Sequence, residues 1–170
     1  MAISASDIPN DSEISKFVFG ADFYDSYNFR LSGKNRTAVD IWLSIIQITP
    51  PWVDILMLIR NRVVQLFGLK NLGLNRDVEN RKYSKGDRVG IFTVFSISDD
   101  EIILTDDDKH LNVKISLCRF QNGDSQKVHV STVVHTYNIL GRFYMLFVKP
   151  FHRVIVRSML SKAEKILNVA

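Results

Sequence analysis

Two histidines in this 170-residue chain could together bind a metal or catalyse proton transfer. His110 and His135 lie on either side of Asn122-Gly123, a strong β-hairpin signal, so antiparallel pairing places them on one sheet face. Asp108 and Tyr137 would be their neighbours. Two imidazoles and a carboxylate can bind a metal, and the same groups can act as an acid–base pair. We favour a third interpretation, a polar outer sheet face, and predict no metal and no cofactor.

Cys118 is the single cysteine, so neither an internal disulfide nor a Cys-x-x-Cys zinc site is available. A cysteine nucleophile needs a base and an orienting group. His129 reaches Cys118 across the hairpin only if the numbers of paired residues sum to 247. We expect a structural thiol and assign no catalytic residue.

Aromatic side chains at helical spacing form a third group of candidates. Such residues pack in cores more often than they bind ligands, but a cavity in this chain would be lined by them. Where the last strand enters the last helix, helix N–H groups and an arginine could also bind an anion, unless Asn138 only caps the helix. The predicted ligand-binding residues are Trp42, Trp52, Tyr137, Arg142, Phe143, Phe147 and Phe151.

Charge is distributed unevenly along the chain. The 22 Lys and Arg residues outnumber the 18 Asp and Glu residues, giving a net charge of +4. Residues 1–31 carry −3 and residues 139–170 carry +5. A basic block of this kind is typical of a solvated helix face, although it can mark a lipid or nucleic-acid surface. We predict no nucleic acid, because the basic residues lack interleaved aromatics free to stack.

Composition and hydropathy narrow the class of protein. The chain is 46% hydrophobic and 24% charged, which excludes disorder, collagen and coiled coil. Its first 20 residues contain no leader pattern, and charges and Pro150 interrupt the most apolar stretch, residues 143–160. A membrane span needs about 20 mostly apolar residues, so we predict no stable membrane insertion and a cytoplasmic location.

The spacing at which apolar residues recur changes along the chain. It is typical first of a strand, then of helices, then of strands, and finally of a helix. We predict a flexible tail over 1–15, a single domain over 16–170, and a lid-like loop over 69–88. The pattern indicates an α+β fold in which an antiparallel sheet wraps a long C-terminal helix, with a short helix pair after the first strand. The predicted elements are a strand at 21–31, a helix capped by Thr37, a helix beginning at Thr49-Pro50-Pro51, strands at 88–97, 101–105, 110–120 and 127–137, and a final helix that Pro150 kinks or splits.

This order of predicted strands and helices resembles the helix-grip fold of the START-like superfamily, which includes birch-pollen-allergen-like proteins and polyketide cyclases. The resemblance covers about residues 20–168. Several short stretches resemble more closely an uncharacterised bacterial family that occurs alone or fused to short-chain-dehydrogenase-like domains. These stretches are Ala21–Tyr27 (ADFYDSY), Pro51–Val53 (PWV), Leu58–Asn61 (LIRN), Asp107–Leu111 (DDKHL), Thr136–Arg142 (TYNILGR) and Pro150–Arg153 (PFHR).

The helix-grip resemblance implies a cavity between helix and sheet for lipids, polyketides or similar molecules. We therefore expect the partner to be a hydrophobic small molecule. One alternative is a cyclase- or hydratase-type enzyme that acts in the same cavity. Another is a protein or membrane-surface module that uses the basic C-terminal helix. The sequence leaves open whether the protein is a homodimer.

Overall fold

The computed structural model describes residues 3–33, 36–56, 58 and 82–169, and a seven-stranded antiparallel sheet dominates these residues. The strands are β1 (Ser4–Ala5), β2 (Phe23–Ser32), β3 (Arg88–Val89), β4 (Phe92–Ile97), β5 (Glu101–Asp107), β6 (Leu111–Asn122) and β7 (Ser125–Thr136). Their order in the sheet is β1-β2-β7-β6-β5-β4-β3. The α-helices are α1 (Ala38–Gln47), α2, which includes residues 51–56, and α3 (Ile139–Leu167), and a 3-10 helix covers Glu13–Phe17.

The architecture is α+β and helix-grip-like, as the sequence predicts. Alternate residues of the strands form an apolar inner face, which α1 and the C-terminal end of α3 cover. The core joins Tyr27 and Val130 of the sheet to Ile41 of α1 and to Leu160 and Ala163 of α3. One long helix thus lies along one face of one sheet.

The β6–β7 hairpin fixes the register of the central strands. Leu111 pairs with Thr136 and Asn122 pairs with Ser125, so paired residue numbers sum to 247 throughout. Gly123 has a φ of 59°, which the tight turn requires and glycine adopts without strain. This register puts Cys118 opposite His129.

Helix α1 begins as its sequence predicts. The Thr37 hydroxyl accepts a hydrogen bond from the backbone N–H of Asp40, and the Asp40 carboxylate accepts one from the backbone N–H of Thr37. This reciprocal capping box satisfies two helix-terminal donors. Helix α2 follows after the Thr49-Pro50 linker, and the Thr49 hydroxyl donates to the Ile45 carbonyl at the end of α1.

Helix α3 runs without interruption through Pro150, so of the two predicted effects, a kink or a split, the split is wrong. Proline removes one backbone hydrogen bond but leaves the helix backbone continuous on both sides. Asn138 caps the helix, its side chain accepting from the N–H of Gly141 at 3.1 Å.

The strand predicted over 88–97 is two strands, β3 and β4. Gly90 has a φ of 61°, and this conformation lets Val89 turn back and pair with Phe92. Of the predicted loop over 69–88, residues 69–81 lie outside the described residues. No helix in the described ranges is long and apolar enough to span a bilayer.

The N-terminal residues make contacts that the predicted tail over 1–15 did not include. Ser4–Ala5 pairs with Tyr27 and Asn28 of β2. Ile14 is completely buried against Ile103 and Val133 on the outer sheet face. The face opposite α3 is therefore covered too, by residues between β1 and β2.

Candidate functional site

The middle of α3 lies over the inner sheet face without burying a side chain completely. The helix buries Gly141 and Met145 near its start and Leu160 near its end, while residues 146–159 are all exposed or half-buried. Below them, Val113 and Ile115 stay only half-buried, although β6 is a central strand. We call the contact region between residues 146–159 of α3 and the inner sheet face the α3 groove.

A polar cluster lies in the α3 groove on an otherwise apolar face. Asp25 of β2 is paired directly with Thr132 of β7. His152 reaches both from the helix: its Nε2 lies 3.3 Å from Asp25 Oδ1 and 3.3 Å from Thr132 Oγ1. The Phe23 ring contacts the imidazole edge to face, with the ring centroids 5.7 Å apart. We call Asp25, Thr132 and His152 the groove cluster.

The Asp25 carboxylate has an acceptor atom with no partner among the described residues. Its Oδ2 is buried and receives no hydrogen bond from them. The Asp25 side chain is only 13% exposed and that of His152 only 19%. A buried acceptor without a donor costs about 1–3 kcal/mol, and more when it is charged. Oδ2 therefore has the capacity to accept a further hydrogen bond.

Tyr27 and Arg157 adjoin the groove cluster. The Arg157 guanidinium lies over the Tyr27 ring, 5.5 Å from its centroid. Burial raises the pKa of the Tyr27 phenol, and the nearby Asp25 charge raises it further, while Arg157 opposes both effects. The phenol therefore keeps its proton at neutral pH and can serve as a hydrogen-bond donor.

Strand alternation and helix spacing explain how the sequence places these groups. Phe23, Asp25 and Tyr27 are two residues apart, so all three point to the inner face of β2. His152 lies seven residues after Met145, two helical turns along the buried side of α3.

A histidine paired with a carboxylate can do two things chemically. It can bind a polar group of a ligand, with Asp25 fixing the ring orientation. It can also transfer a proton, because an imidazole ring can both accept and donate one. Both roles need a ligand in the α3 groove, and its walls are mainly apolar.

Of the seven predicted ligand-binding residues, the structure brings together Arg142, Phe143, Phe147 and Phe151 on α3 but places the two tryptophans on other helices. Trp42 of α1 is buried in the hydrophobic core, whereas Trp52 is 36% exposed at the start of α2. Phe143, Phe147 and Phe151 are exposed on the side of α3 away from the sheet. The remaining two also lie at the surface, Tyr137 donating to Asp107 at 3.0 Å and Arg142 lying 3.8 Å from Asp22.

The two histidines considered as a metal site have separate partners. His135 Nε2 lies 2.8 Å from the Phe17 carbonyl oxygen, to which it donates. His110 Nδ1 lies within 3.2 Å of the Asn138 side chain. No group of three metal-binding side chains occurs in the part of the chain that the structure describes.

Cys118 and His129 pair across the hairpin, but their pKa shifts are opposite to those of a catalytic cysteine–histidine pair. Burial raises the pKa of the Cys118 thiol to about 12, and the Glu101 charge adds to that rise. Burial also lowers the pKa of His129 to about 4, with a smaller effect from Lys127. The thiol stays protonated and the imidazole neutral, whereas an activated cysteine needs the opposite shifts. The prediction of a structural thiol agrees with this environment.

Sequence reasoning missed the groove cluster. Asp25 and His152 are 127 residues apart in the chain, and no local spacing connects them. A signal was nevertheless present, since Asp25 lies in the ADFYDSY stretch and His152 in the PFHR stretch that carry the family resemblance.

Comparison with known proteins places the chain in a family. The family model described as "Protein of unknown function (DUF2867)" matches residues 18–159. The chain belongs to this family. Both Asp25 and His152 lie within the matched DUF2867 region. No curated protein matches the chain.

A solved structure is also similar to this DUF2867 chain. It is a conserved protein from Geobacillus kaustophilus, with a TM-score of 0.42 and 11% sequence identity. The similarity covers 85% of this chain and 95% of that one.

Proposed function

We propose that this protein binds a hydrophobic small molecule with a hydrogen-bond donor in the α3 groove. The observation that carries the proposal is Asp25 Oδ2, a buried acceptor without a partner among the described residues, beneath the part of α3 that buries no side chain. The donor of the ligand would bind Oδ2, and its apolar body would lie between helix and sheet.

The walls of the α3 groove support an apolar ligand. Val113 and Val148 pack beside one cluster of buried residues, and Ile115 and Val156 pack beside another. All four are only partly buried, so apolar surface remains to be covered. Small-molecule sites commonly combine such walls with a few polar anchors. The START-like resemblance leads to the same expectation for the same place in the fold.

A second candidate function is acid–base catalysis of the cyclase or hydratase type. The 3.3 Å contact between His152 Nε2 and Asp25 Oδ1 favours it, because the carboxylate would hold the ring in a fixed orientation. In this scheme His152 moves a proton to or from a ligand that the apolar walls hold in place.

Native mass spectrometry of the freshly purified protein tests the binding proposal. We expect a bound small molecule, released on unfolding, and an Asp25→Asn variant that retains much less of it. Asparagine keeps the shape but places an amide donor or a neutral oxygen where the ligand needs a charged acceptor. The matched control is Asp11→Asn, which neutralises an exposed carboxylate outside the groove.

Three outcomes would count against binding in the groove. In the first, the purified protein carries no ligand, and no added lipid-like or polyketide-like compound raises its melting temperature. Another is equal retention by the Asp25→Asn and Asp11→Asn variants. The third is a ligand that crosslinks to residues outside the α3 groove. A His152→Asn variant that binds the ligand normally but no longer converts it would favour the enzyme.

A further inference from the structure

Helix α3 has an exposed apolar face on the side away from the sheet. Its members repeat every three or four residues, which aligns them along one side of the helix. Phe143, Phe147 and Phe151 are 53%, 60% and 56% exposed. The outer stripe, as we call it, consists of Ile139, Phe143, Leu146, Phe147, Phe151 and Val154.

The outer stripe is large for a surface patch. Three half-exposed phenylalanines and three exposed aliphatic residues present about 500–600 Å² of apolar surface. The largest apolar patch on a typical soluble monomer measures about 300–600 Å² and is often functional, so the stripe lies at the upper end of this range. The stripe is separate from the α3 groove, because the groove cluster lies on the opposite side of the helix.

Basic residues accompany the outer stripe. Arg142, Lys149 and Arg153 are spaced seven and four residues apart, so they follow one edge of the stripe. Arg142 lies 3.8 Å from Asp22 and Lys149 donates to the Asp22 carbonyl, whereas Arg153 is exposed. Lys162 and Lys165 extend the positive charge beyond its last member, Val154. The only acidic residue in α3 is Glu164, which is buried at 6% exposure and therefore cannot offset these charges at the surface.

We propose that the outer stripe and its basic edge bind the surface of an anionic lipid bilayer. Phenylalanine and aliphatic side chains would enter the boundary between headgroups and acyl chains, while the cations contact lipid phosphates. Apolar residues beside a basic row on a long helix are the pattern that such interfacial helices share. The helix lies on the bilayer and does not cross it.

Charge favours a lipid surface over a second copy of this chain. Two α3 helices packed through their outer stripes would bring together two basic edges, with no exposed acidic residue on either helix to offset them. Like charges that face each other across an interface destabilise it. An anionic bilayer provides the complementary charge and an apolar layer together.

Vesicle flotation with the full chain tests the proposal. We expect binding to vesicles of phosphatidylcholine with phosphatidylglycerol at low salt, and little binding to phosphatidylcholine alone. High salt should weaken the binding several-fold, because it screens the contribution of the basic edge. A Phe147→Ser substitution should lower the partition coefficient about tenfold, and Phe147→Ser with Phe151→Ser should lower it further.

The matched control is Phe19→Ser, which removes a 97% exposed phenylalanine outside α3. Because all three phenylalanines are exposed, each variant should keep the far-UV circular dichroism and melting temperature of the parent, which checks folding. Arg153→Gln should weaken binding and reduce its salt dependence.

Several results would overturn the proposal. Failure to bind anionic vesicles at low salt would do so, as would an equal loss of binding in the Phe19→Ser control. Sedimentation showing a dimer that Phe147→Ser dissociates would assign the stripe to a second copy. Equal binding to anionic and neutral vesicles would remove the role of the basic edge.

Discussion

Ser12 donates a hydrogen bond of 2.5 Å to the carboxylate of Glu101, a residue 89 positions later in the chain. The other carboxylate oxygen accepts from the backbone N–H of Glu13 at 2.7 Å, and Ser116 of β6 donates to the carboxylate as well. One buried side chain therefore joins the N-terminal segment to the outer face of two strands.

Glu101→Ala should destabilise the protein by about 2–4 kcal/mol, because it leaves two buried hydroxyls and one backbone N–H without their acceptor. Hydrogen exchange should accelerate over residues 12–17. Chemical unfolding measures the loss of stability, and native-state amide hydrogen exchange measures the local opening. Glu13→Gln is the control, since that carboxylate is 56% exposed, and it should cost less than about 1 kcal/mol. Unchanged exchange over 12–17 in Glu101→Ala would contradict the assigned role.

His129 should make the folded state less stable in acid. Burial lowers its pKa from 6.5 to about 4, so between these values the unfolded chain binds more protons than the folded chain. The free energy of unfolding should therefore fall as the pH decreases, by about 2 kcal/mol from this residue between about pH 7 and pH 5. Urea unfolding at both pH values measures the loss.

A His129→Phe variant isolates this effect, because the new ring can still pack against Phe120, whose centroid lies 5.7 Å from that of His129. Its unfolding free energy should change less with pH than that of the parent. Identical pH dependence in His129→Phe and the parent would refute the shifted pKa.

Cys118 should resist alkylation while the protein is folded. Burial and the Glu101 charge raise the pKa of its thiol to about 12, and only 5% of the residue is exposed. We expect labelling by iodoacetamide near neutral pH to be about a thousandfold slower than in urea, where the thiolate is accessible. Rapid labelling of the native protein would show that the thiol is activated.

Gly141→Ala should destabilise the protein, although alanine is the better helix former. A Cβ at this position would overlap the backbone carbonyl oxygen of His110 and lie 3.3 Å from Thr136 Cβ. The start of α3 would have to move away from β6 and β7, which we expect to cost about 2–4 kcal/mol. Lys165→Ala, exposed near the other end of α3, should have little effect. A melting temperature above that of the parent for Gly141→Ala would exclude the overlap.

Local signals allowed much of this fold to be predicted. Thr37 and Asp40 marked the start of α1, and Asn122-Gly123 set the hairpin from which the register of β6 and β7 follows. The alternation in these strands identified the inner face. Each of these features depends on residues that are close in sequence, where spacing and geometry are directly related.

Features that depend on distant contacts could not be predicted in this way. Ser116 is a polar residue on the outer face of β6, yet it is completely buried because Glu101 and the N-terminal segment cover it. The groove cluster is similar, since an aspartate in a strand and a histidine in a helix acquire a shared role only after packing. The phenylalanines of α3 have helical spacing, but spacing alone does not say which side of the helix meets the sheet.

The pairing of β2 with β7 has a consequence for biosynthesis. Phe23 pairs with Val134, so a ribosome must synthesise more than a hundred further residues before β2 gains that neighbour. Helix α3 comes later still. Such high contact order slows folding and leaves early strands exposed in the nascent chain, where chaperones bind apolar segments. Truncation before residue 125 would remove the central partner of the sheet and leave a fragment unable to fold.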